Sequence, residues 1–112
     1  MIKLHWPPVE LSPNARKHFH VVADAKKAYR ESCYWAARSC RMAMPDEGEI
    51  LLSLEFRPPD NRRRDLDNML ASIKAGLDGL ADAHEVNDHR FALLLRRGEP
   101  VKGGAVLVTV AP

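Results

Sequence analysis

At 112 residues the chain has the size of one domain spanning 1–112, too small to hold a cofactor-binding domain beside a separate substrate domain. Its 46% hydrophobic and 29% charged residues argue for a globular fold and against wholesale disorder, and no apolar run approaches the length of a membrane span. With 17 Lys and Arg against 15 Asp and Glu the net charge is only +2, so a nucleic-acid partner must be argued from where the charges sit.

In chain order, Met1 to His5 leads straight into a strand-like start with no signal peptide, and residues 2 to 6 alternate as a short strand. Pro7-Pro8 then forces an extended exit. Glu10 to His20 reads as a loop with a basic cluster of Arg16, Lys17, His18 and His20. From Val22 to Met44, small and apolar residues including Val22, Ala25, Tyr29, Cys33, Ala36 and Cys40 recur at three and four, which predicts an amphipathic helix. Cys33 and Cys40 would lie about 10 Å apart along that helix, too far for a disulfide, and a reducing cytoplasm is the expected location.

Ile50, Leu52, Leu54 and Phe56 alternate with less apolar neighbours as a strand that ends at Arg57-Pro58-Pro59-Asp60. A second helix is predicted from Asn68 to Ala81, with Leu70, Ile73, Leu77 and Leu80 as its buried stripe. Phe91 to Arg97 and Ala105 to Val110 read as two more strands joined by a connection rich in Gly and Pro. The expected fold class is α+β: a mixed sheet carrying two helices, in the order strand, helix, strand, helix, strand, strand.

The chemistry concentrates in Asn61-Arg62-Arg63-Arg64-Asp65-Leu66-Asp67. In extended backbone, Asp65 and Asp67 would project to the same side, and two adjacent carboxylates suit a hard divalent cation such as magnesium. Asp88 offers a third acidic group. The plainer alternative makes Asp67 a helix N-cap and pairs Asp65 with Arg62, Arg63 or Arg64. On the second helix Asp67, Ala71, Lys74 and Asp78 share one flank, so Lys74 either leans back toward the carboxylates or pairs with Asp78. Arg57 and Arg62 to Arg64 put four guanidinium groups beside the acidic site, as a phosphate backbone would require, unless they form only a solubilising loop.

Arg62-Arg63-Arg64-Asp65-Leu66-Asp67-Asn68, followed by a helical lysine, by Leu77-Asp78-Gly79-Leu80 and by Asp88, resembles the RusA family of Holliday junction resolvases. His5-Trp6-Pro7-Pro8 resembles the family's opening strand and proline pair, and Val101-Lys102-Gly103-Gly104 its closing hairpin. The resemblance implies a small homodimeric endonuclease, of a kind often carried by prophages, that uses magnesium, with manganese able to substitute, to nick four-way DNA junctions symmetrically in recombination and repair. It further implies Asp65, Asp67 and Asp88 as metal-binding catalytic residues, with Lys74 the nearest match to the catalytic lysine. The family commonly places that lysine where this chain has Ala71, and Asn87-Asp88 stands where two aspartates are often seen. Arg57, Arg62, Arg63, Arg64, Arg16 and Lys17 are the expected DNA contacts. A two-fold junction cut twice also calls for two sites related by the same symmetry, which an isologous dimer supplies.

Overall fold

Alternating burial in the strands and a repeat of three to four in the helices define the architecture of the computed structural model, which describes residues 1–111. The elements are β1 (Ile2–His5), a 3₁₀ turn (Val9–Leu11), α1 (Phe19–Ser39), β2 (Ile50–Arg57), α2 (Leu66–His84), a second 3₁₀ turn (Asp88–Arg90), β3 (Phe91–Arg97) and β4 (Ala105–Val110). This is the α+β arrangement that the sequence predicts. The strands form one mixed sheet in the order β1-β4-β2-β3, with β2 and β3 parallel and the other pairs antiparallel.

β2 is central, and its period of two puts Ile50, Leu52, Leu54 and Phe56 on the helix-covered face, all fully buried. Ile2 and Leu4 of β1 and Val106 and Val108 of β4 extend that face. Tyr29, Cys33 and Ala37 of α1 and Met69, Ile73, Leu77 and Leu80 of α2 close over it. The opposite face leaves Leu51 and Leu94 exposed. No helix among the described residues is long and apolar enough to cross a membrane.

The helices meet at two glycines of α2. A Cβ at Gly76 would stand 2.7 Å from the Tyr29 ring and 2.9 Å from Cys33 Sγ, and one at Gly79 would strike the backbone carbonyl of Arg30. Tyr29 Oη donates to the carbonyl of His5 at 2.6 Å, tying α1 to the end of β1. Burial pushes the Cys33 thiol up to about 11, while Cys40 is exposed, and both are free.

Several boundaries differ from the sequence expectation. α1 starts at Phe19, because His18 caps it by accepting from the His20 N–H, and stops at Ser39 rather than Met44. Beyond Cys40 the Met42 N–H donates to Nε2 of buried His84, so the ring's other nitrogen, Nδ1, carries the proton that faces the Leu80 carbonyl at 2.9 Å. α2 takes in Leu66, Asp67 and the turn through His84, wider than Asn68 to Ala81. The closing hairpin is not formed. β4 pairs with β1 and β2, and the connection after β3 crosses the end of β2, where the Gly98 N–H donates to Phe56 O and the Val101 N–H to Pro58 O.

Gly79→Ala is expected to lower stability by about 2 kcal/mol or more, although alanine gains about 1 kcal/mol in helix propensity, because backbone cannot yield as a side chain can. Gly76→Ala meets only side chains and should cost less. Urea unfolding of both variants tests this, and an unchanged midpoint for Gly79→Ala would contradict the contact.

Candidate active site

The aspartates and the lysine singled out above, with the arginine loop before them, fall at three stations along α2. At its N-terminal end lies an open groove of about 640 Å³, walled by Trp6, Pro7 and Pro8 on one side and by Arg62, Arg63, Arg64 and Asp65 on the other. Trp6 packs edge-on against Phe56, with ring centroids 6.4 Å apart, and Gly104, at φ +71, fits beneath the indole where a Cβ would collide. The Arg64 guanidinium sits 5.8 Å over the Trp6 ring, a cation–π contact that joins the two walls.

Asp60 organises the arginine loop. Its carboxylate accepts from the Arg62 N–H at 3.0 Å, from the Arg62 side chain at 3.0 and 3.2 Å, and from Arg64 Nη1 at 2.8 Å. These partners, Arg64 first and Arg62 second, hold the Asp60 carboxyl well below the usual carboxylate range. Sequence reasoning passed over Asp60. Its spacing of two and four from Arg62 and Arg64 is the available signal, since aspartate commonly bonds the backbone two residues on.

Asp65 is the N-cap of α2 but makes no capping hydrogen bond, and Asp67 lies in the first turn. The expectation that they project together rested on extended backbone, and the helix has already taken in Leu66 and Asp67. Only Asp65 lines the groove. Asp67 is not the predicted cap because the helix already starts at Leu66, and the predicted pairing of Asp65 with the neighbouring arginines is not formed among the described residues, where Arg62 and Arg64 turn to Asp60. Among the described residues both carboxylates are exposed and without a side-chain ion pair.

Further along, Ala71 and Lys74 are exposed on the outer side of α2, and the Lys74–Asp78 ion pair is absent among the described residues. At the C-terminal end Asp88 stands beside Asp78 in a shallow hollow with Arg30 and Asp82. Burial pushes the Asp78 carboxyl up and the Asp88 carboxyl adds to this, against the attraction of Arg30. Arg30 and Asp82 form a two-bond ion pair at 2.7 and 2.9 Å. Positions 67 and 78 are separated by about 16 Å of helical rise, so Asp88 is not brought to Asp65 and Asp67.

Among the described residues no three His, Cys, Asp or Glu side chains converge as a metal-holding group. One chain therefore supplies suitable oxygen donors at two separate ends of α2 but does not assemble the three-aspartate set. Of the expected DNA contacts, Arg63, Arg16 and Lys17 are exposed and Arg62 remains 81% exposed despite its clasp. Arg57 is turned to Glu55 at 2.6 Å, away from the groove lining.

The start of α2 in this small α+β domain thus opens on a groove lined by three arginines and one aspartate. Comparison with known proteins gives the family. No family model matches the chain. An uncharacterized protein of Xylella fastidiosa (strain Temecula1) is 37% identical over 113 residues, covering 97% of this chain and 74% of that protein. The crossover junction endodeoxyribonuclease RusA of Escherichia coli (strain K12) is 35% identical over 121 residues, covering 97% of this chain and 91% of its own length. The protein of the same name from Enterobacteria phage 82 is 33% identical over the same shares. The chain belongs to the RusA family.

Asp60→Ala is expected to free Arg62 and Arg64 and so speed tryptic cleavage after residues 62 to 64 several-fold, with little change in global stability because the clasp is on the surface. Because its folded-state carboxyl is depressed, the clasp holds throughout neutral and mildly acidic solution and is lost only as pH falls below the ordinary range near 4. A carboxyl ¹³C shift for Asp60 that titrates at about pH 4 would contradict the arrangement.

Proposed function

We propose that this protein is a magnesium-dependent, structure-selective endodeoxyribonuclease that acts as a homodimer and resolves four-way DNA junctions by paired symmetric nicks. The observation that carries the reading is the pair of unclasped carboxylates, Asp65 and Asp67, directly following an arginine loop that Asp60 has already ordered. The family's named junction endonucleases supply the reaction class. Preordered guanidinium groups bind phosphate with less lost side-chain freedom, and exposed carboxylates beside them are free to take a hard cation.

Magnesium, with manganese able to substitute, suits these oxygen donors, and when bound it would supply Lewis-acid activation. The chain's own residues have separate tasks. The arginines hold the phosphodiester in the groove, Trp6 and the proline pair shape its far wall, and Lys74 offers a free ammonium on the outer side of α2. The homodimer answers the separation of the acidic ends: in an isologous pair, the N-terminal end of one α2 can approach the C-terminal end of the other.

The dispersal of the three aspartates within one chain favours a second reading, a DNA-binding module without catalysis. Variants separate the two. Asp65→Asn and Asp67→Asn should each abolish junction cleavage while binding is kept or improved, since each removes a negative charge facing phosphate. Asp88→Asn should behave alike. Lys74→Ala should slow single-turnover cleavage by about 10²-fold with little effect on folding, and arginine should not restore it fully. Replacing Arg62 and Arg63 with alanine should flatten the salt dependence of binding by roughly one unit of slope per lost phosphate contact. Wild-type protein that binds junctions in magnesium without cutting them would instead support the binding module.

A further inference from the structure

The segment leading from the groove into α1 carries three flat rings that the nuclease reading leaves unused. Phe19, the first residue of α1, is 68% exposed. Its ring lies 4.7 Å from the His18 imidazole and 3.9 Å from that of His20, centroid to centroid, and the two imidazoles are 4.9 Å apart. Phe19 is absent from the side chains packed on the core. The cluster is locally fixed, because His18 caps the helix by accepting from the His20 N–H at 3.3 Å.

The flanking residues are mainly basic. Arg16 and Lys17 immediately precede the rings and are exposed, the first turn of the helix holds no acidic residue, and further along α1 exposed Lys26 and Lys27 outnumber the one exposed acid before them, Asp24. From Asn14, which lines the arginine groove, the chain reaches Phe19 in at most about 18 Å. An exposed ring among cations, continuous with a phosphate groove, matches how single-stranded nucleic acid is held, since every base has a face to stack whatever its identity.

We propose that Phe19, framed by His18 and His20, is a stacking platform for an unpaired base of branched DNA. The proposal rests on the DNA reading above and adds a source of selectivity to it. Arginine contacts to phosphate are available on any duplex, so they do not distinguish a junction from linear DNA. Base faces are hidden in a continuous duplex and become accessible where stacking is interrupted, as at the open centre of a junction. A platform beside the groove therefore favours branched substrates without reading sequence.

The test compares the binding of the full chain to a synthetic four-way junction and to linear duplex of equal length, at one salt concentration. Phe19→Ala should weaken junction binding by about five-fold or more while duplex binding stays within about two-fold, and Phe19→Trp should restore the difference. An unchanged junction-to-duplex ratio, or an equal loss on both, overturns the platform and leaves the nuclease reading standing. A change of oligomeric state in Phe19→Ala, seen by sedimentation, would assign the ring to a contact between copies and also overturn it. Wild-type protein that binds neither DNA would remove the nuclease reading itself.

Discussion

The arrangement depends on the burial of one stripe of α2. Met69, Ile73, Leu77 and Leu80 press into the sheet beneath, and each such side chain contributes about 1.5–3 kcal/mol when removed from water. The ion pairs around the candidate site lie at the surface, where solvent screens them and leaves each a small contribution. Apolar packing, not charge, therefore sets where the arginines and aspartates stand. Gly76 and Gly79 let α1 approach closely enough to seal the other side of that stripe.

With α2 so fixed, its N-terminal end emerges between the Trp6 wall and the loop that leaves β2. The charges there are not mutually satisfied. Asp60 takes up Arg62 and Arg64, while Asp65 and Asp67 face solvent without an ionic partner among the described residues. Under the proposed function the ordered arginines would take the phosphate, and the two open acids the cation that accompanies it.

The local patterns of the sequence were legible because they are set by nearest neighbours. The alternation of Ile50, Leu52, Leu54 and Phe56 and the repeat of Ile73, Leu77 and Leu80 correspond directly to the buried faces. What was not legible depends on partners distant in sequence. Cys40 continues the helical repeat of α1, yet the chain leaves the helix there, and the Met42 N–H is taken by His84, 42 residues away. The closing hairpin that the family resemblance implies at Val101 to Gly104 is replaced by pairing of β4 with β1 and β2. Asp88 follows the same rule, since nothing in its local sequence indicates that it settles beside Asp78 and not beside Asp65. Asp60 is the exception. Its signal was local, but the arginines that follow read as ligand contacts and hid their own acidic partner.

The proposed activity is the cutting of branched DNA with a divalent cation. The most direct measurement is strand-resolved cleavage of a synthetic four-way junction by the wild-type protein, with linear duplex as control and with magnesium or a chelator present. Paired nicks at symmetry-related positions are expected in magnesium, with none in the chelator and the duplex left intact. Cleavage that persists in the chelator, or that cuts duplex as readily as junction, would contradict it.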